Sequence, residues 1–216
     1  ARALAITTKA APPQALRPIT KTRKQEQRQQ QSSSRTIMGA SSEFYDEKTG
    51  LYTFKKSDGK QLNSMEMAAY WQTWVNKYPI ISIEDPFAED DWDTWSAFMA
   101  IAPKSLQVVG DDLFTTSATR LARGIADRSA NAILIKPNQA GTLFAALNTL
   151  KFAKQSGWRS VVSARSGDTE ESWLADLATG SSAGQIKVGS THRSERTAKW
   201  NRLLELSFDK SAPFNA

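Results

Sequence analysis

The chain predicts an α/β protein built on a parallel sheet, and three observations carry that prediction. From residue 36 onward, short apolar runs alternate with amphipathic helical windows. From the second run on, the strands recur about every 26 residues, the length of one βα unit. The runs are apolar on both faces, as strands sandwiched by helices must be.

The strands are expected at Thr36–Ala40, Ile80–Ile83, Leu106–Val109, Ala132–Ile135, Ser160–Ser163 and Gln185–Val188. Between them lie helical windows. Ser64–Lys77 spaces Met65, Ala68, Ala69, Trp71 and Trp74 by three and four residues, and Asp91–Ala102 carries Trp92, Trp95 and Phe98. Ser117–Ile125 follows a Thr-Thr cap, and Gly141–Gln155 stops before Gly157. Asp168–Thr179 and Ser194–Leu206 complete the series. A closed (β/α) barrel takes eight strands, so six strands predict a partial TIM-type barrel of about six βα units.

Charge divides the chain into two parts. Residues 1–37 carry eight basic residues against Glu26 alone, a net charge of +7, which leaves −1 for residues 38–216. The first part is rich in Pro, Gln and Ser and has no sustained apolar periodicity, so it reads as an extended basic arm preceding the barrel. Arg17, Lys21, Arg23, Lys24, Arg28 and Arg35 suit phosphate contacts to RNA, or an acidic protein surface, and a plain solvated tail is equally open. The arm lacks interleaved aromatics, so base stacking is not suggested. Its Arg- and Ser-rich, acid-poor character also matches an organellar transit segment, and both readings can hold together. No run reaches the ~18 apolar residues of a membrane span. The absence of cysteine excludes disulfides and thiolate chemistry, and His192 as sole histidine excludes a multi-histidine metal site.

Chemistry-bearing side chains fall at consecutive strand ends. IISIEDPF places Glu84 and Asp85, LQVVGDDL places Asp111 and Asp112, and AILIKPNQAG places Lys136. In a barrel these ends share one mouth. Carboxylates from neighbouring strands suit Mg²⁺, and a lysine beside a divalent cation can serve as a proton-abstracting base. Strand-end acids also cap following helices, a role open to Asp91 and Asp168, and opposite charges in a mouth can simply neutralise one another.

These segments, with ASSEFY (40–45), SARSGDTEES (163–172), GQIKVG and RSERTAKWN, resemble the C-terminal half of enolase, the glycolytic 2-phosphoglycerate dehydratase, over roughly 170 of 216 residues. The resemblance implies that Glu84 and Asp111 match two metal ligands, Lys136 the base, Arg165 and Ser166 substrate-binding residues, and Lys187 a further active-site lysine. It also exposes two departures. Met38 stands where the third carboxylate ligand belongs, and a thioether is a poor partner for Mg²⁺. Ala164 replaces the family's loop histidine, and His192 lies in another segment.

The enolase territory before Met38, with its proton-donating glutamates, is taken here by the basic arm. The expectation is therefore a catalytically inactive, enolase-like structural subunit of a large assembly. An organellar ribonucleoprotein such as a mitochondrial ribosome leads, with a protein-only complex behind it and the cytoplasm left open. The assembly would cover the open barrel edges. No cofactor is expected, and residual Mg²⁺ stays open. The alternative is the C-terminal half of a split, active phosphopyruvate hydratase completed by another chain.

Overall fold

A computed structural model describes residues 35–209. Its main sheet has six strands, all paired in parallel. They are β1 (Arg35–Met38), β5 (Ile80–Glu84), β6 (Gln107–Gly110), β7 (Ala132–Ile135), β8 (Arg159–Ser163) and β9 (Ile186–Lys187), adjacent in that order. Three short strands, β2 (Tyr45–Asp46), β3 (Leu51–Thr53) and β4 (Gln61–Leu62), form a separate antiparallel sheet. Seven helices occur among the described residues: α1 (Ser64–Lys77), α2 (Trp92–Ile101), α3 (Ala118–Asp127), α4 (Pro137–Ala140), α5 (Leu143–Gln155), α6 (Trp173–Gly180) and α7 (Ser194–Phe208). All six expected strands form, so the half-barrel anticipated from the sequence is the fold observed.

Local chemistry explains the boundaries. Asn63 and Glu66 exchange side-chain-to-backbone bonds at 2.9 Å in both directions, a capping box that starts α1. Thr142 caps α5 by accepting the Ala145 N–H at 3.1 Å, and Gly157 ends that helix at φ 74°. At the start of α3, Ser117 rather than the preceding threonines accepts the Arg120 N–H.

Strand alternation sorts the sheet residues into two sets. Ile83, Val108, Ile133, Ile135 and Val162 point outward and join Trp95, Phe98, Phe114, Leu121 and Leu150 in the main core beneath the helices. Val109, Ala132, Leu134 and Val161 form a separate small cluster. Their i±2 neighbours Gln107 and Asp111 share the lumen-facing side with them.

The small sheet anchors the loop after β5. Tyr52 Oη accepts the Ala88 N–H at 3.0 Å and donates to Asp91 Oδ2 at 2.7 Å. Trp71 Nε1 and Ser41 Oγ both donate to the Pro86 carbonyl, at 2.7 and 2.8 Å. The capping role left open for Asp91 is not taken up by its side chain, whose carboxylate accepts the hydroxyls of Tyr52, Ser64 and Thr94, each at 2.7 Å. Helix α6 begins at Trp173 rather than Asp168, because the Asp168 carboxylate pairs with Lys199 of α7 at 3.2 Å and does not cap.

Residues 1–34 lie outside the described residues, and with them Arg17, Lys21, Arg23, Lys24 and Arg28. Arg35, read with the arm, is the first residue of β1, and its N–H bonds the Pro79 carbonyl at 3.0 Å.

Candidate functional site at the barrel mouth

Glu84 ends β5, Asp111 follows β6, Lys136 follows β7, Lys187 ends β9 and Met38 ends β1. The parallel pairing brings all five to one end of the sheet. Register sets Met38 directly beside Glu84. Their close approach requires Gly39, whose N–H donates to the Glu84 carbonyl at 2.7 Å, while a Cβ there would collide with the Asp85 carbonyl.

Carboxylate oxygens of Glu84, Asp85 and Asp111 lie within 4.8 Å of one another, and all three residues are buried. Each is already engaged. The Lys136 ammonium pairs with Asp111 Oδ2, and Gln139 Nε2 donates to Asp111 Oδ1 at 3.2 Å. The Lys187 ammonium pairs with Glu84 Oε1. Asp85 accepts the backbone N–H groups of Asp111 and Asp112 at 2.8 and 3.0 Å, so it fastens the loop after β6.

Burial pushes the Asp85 carboxyl up to about 7, with the Asp112 and Asp111 amides opposing and the neighbouring carboxylates adding to the rise. Burial also raises Glu84, the Lys187 ammonium acting against it with less weight. Asp85, Thr115 and Thr116 all sit at positive φ, 43°, 47° and 55°, so left-handed backbone concentrates in the loops of this mouth. Thr116 Oγ1 receives the Lys136 N–H at 2.9 Å and contacts Gln139 at the same distance, holding the lysine's backbone in place.

Arg165 and Ser166 do not join the carboxylate–lysine group. They lie in the exposed loop after β8 and line a cavity of about 190 Å³ with Met38, Ala164, Lys187 and Arg196. Lys187 belongs to both places. His192 is exposed between β9 and α7 and is not among the cavity's lining residues.

Sequence reasoning missed Gln139, Thr116 and Lys199. Gln139 and Thr116 carry no charge pattern, and only the fold sets them on the Asp111–Lys136 pair. Lys199 reads as an exposed helix cation, yet it is 1% exposed. Its ammonium donates to the carbonyls of Thr169 and Glu195 at 2.6 and 2.9 Å and ties the β8 loop to α7.

A six-stranded parallel half-barrel with strand-end carboxylates and lysines gathered at one mouth has a direct counterpart among known families. The family model for the enolase C-terminal TIM barrel domain matches residues 14–214, beginning inside the segment read as the arm. The match spans nearly the whole chain, and the chain belongs to the enolase family, as a C-terminal TIM barrel domain.

Proposed function

We propose that this chain is an enolase-family barrel that does not sustain the family's dehydration and works as an architectural subunit of a larger ribonucleoprotein assembly. One observation carries the loss of catalysis: Met38 occupies the strand end beside Glu84. A hard cation needs oxygen donors there, and the thioether supplies none. The other donors do not compensate. Asp85 spends both oxygens on backbone amides, and Glu84 and Asp111 each hold a lysine. The residues present therefore do not fit a Mg²⁺ site of the enolase kind. Without a cation, nothing stabilises the charge that builds up when a carbon acid loses its proton, so Lys136 alone is not an effective base.

The architectural role rests on charge. The excess of +7 in residues 1–37 beside a barrel of −1 suits phosphate contacts that bring affinity without sequence reading. Gradient sedimentation of gentle lysate, with and without ribonuclease, tests it. A large particle that shrinks on ribonuclease treatment is the expected result. A large particle indifferent to ribonuclease, or a small species, contradicts it.

A second reading, the barrel half of a split enolase completed by another chain, draws on the retention of Glu84, Asp111, Lys136 and Lys187 at one mouth. Co-purification of a stoichiometric enolase N-terminal fragment with Mg²⁺-dependent dehydration would establish it in place of the first.

A further inference from the structure

Two side-chain contacts join strands that are not neighbours in the sheet. Between β5 and β9 lie β6, β7 and β8, yet the Lys187 ammonium of β9 meets the Glu84 carboxylate of β5. Between β6 and β9 lie β7 and β8, yet Gln107 and Gln185 exchange amide bonds, Gln107 Nε2 to Gln185 Oε1 at 2.8 Å and Gln185 Nε2 to Gln107 Oε1 at 2.7 Å. Strands in a flat sheet stand ~4.8 Å apart, which would put β6 and β9 about 14 Å apart and β5 and β9 about 19 Å apart. Those spans exceed what the side chains reach, so both contacts cross a lumen.

The contacts are also stacked. Ser82 and Glu84 are two residues apart on β5, and Gln185 and Lys187 are two apart at β9, so each pair faces the same side of its strand. Ser82 Oγ accepts a bond from Gln107 Nε2 at 3.2 Å, completing the lower layer. The upper layer is the ion pair, with 6% of the Glu84 side chain and 30% of the Lys187 side chain exposed.

We propose that these layers are two latches that hold the six described strands at barrel curvature. The amide latch, with Gln107 only 3% exposed, fixes the floor of the lumen. The ionic latch sets the width of the mouth, because Lys187 also lines the cavity that reaches Met38 of β1. This device needs neither catalysis nor its loss, so it stands or falls apart from the proposed function.

The chain has no native cysteine, so Thr36→Cys on β1 and Thr191→Cys in the loop after β9, both at exposed positions, can carry a pair of spin labels. Inter-label distances by pulsed electron resonance are compared in Gln185→Leu, Lys187→Met and the double variant. Each single change is expected to keep the native mean distance. The double variant is expected to lengthen it by on the order of one strand spacing, ~5 Å. If the double variant does not fold, Gln185→Leu with Lys187→Arg, which restores the charge, must fold with the native distance. A native distribution in the Leu/Met double variant, or failure of the Leu/Arg variant, overturns the proposal.

Discussion

The two faces of the sheet follow opposite rules. Outside, between strands and helices, the packing is large, apolar and sealed: Trp95, Phe98, Phe114, Ile83, Ile133 and Ile135 have no exposed surface. Inside, among the described residues, Val109, Ala132, Leu134 and Val161 make a small apolar patch, and around it lie Ser82, Glu84, Gln107, Asp111, Gln185 and Lys187. Every polar member of that lining is paired. The outer shell supplies non-directional burial and sets stability. The inner lining is directional, so it fixes curvature and the state of the mouth.

Substitutions on the two faces should separate in kind. Trp95→Ala, in the shell, should cost the most, about 3–5 kcal/mol in denaturant unfolding, through a cavity that the surrounding helices cannot fill. At the mouth, Lys136→Met should cost roughly 3 kcal/mol by leaving Asp111 buried without its counter-charge. Adding Asp111→Leu should recover most of that loss, whereas no second polar change should rescue Trp95→Ala. Recovery in the shell, or none at the mouth, would erase the distinction.

The pH dependence of stability sharpens it further. Asp85 titrates near 7 when folded against an ordinary value of 3.8, so the folded protein holds a proton that the unfolded chain has released. Its contribution to stability is then present at low pH and declines as pH rises from about 4 to about 7. Raised Glu84 acts in the same direction. Melting curves across that range should show the decline, and Asp85→Asn should flatten it. The smallest effect belongs to the surface: Arg123→Ala, which removes the guanidinium 4.1 Å from the Trp92 ring, should cost about 0.5–1 kcal/mol.

The sheet was legible in the sequence because each βα unit repeats one pattern, and the Ala132–Ile135 strand and the Ser64–Lys77 helix fall where their apolar spacing puts them. The sheet of β2, β3 and β4 was not legible, since strands of two or three residues leave no alternation to read. The start of α6 was misplaced because Asp168 answers to Lys199, thirty-one positions away, and such a partner is invisible to local rules. At the site, Glu84, Asp111 and Lys136 could be named from strand ends, whereas Lys187 and the departures Met38 and Ala164 came only through the enolase resemblance. Which lysine meets which carboxylate depends on curvature, and Gln107 with Gln185 carries no signature at all before the sheet is curled.

A dehydration assay tests the loss of catalysis most directly. The purified chain is incubated with 2-phosphoglycerate and Mg²⁺, and phosphoenolpyruvate is followed by its ultraviolet absorbance. With Met38 beside Glu84 and both remaining carboxylates held by lysines, no turnover above the buffer rate is expected. Steady, Mg²⁺-dependent turnover that disappears in Lys136→Ala would contradict it.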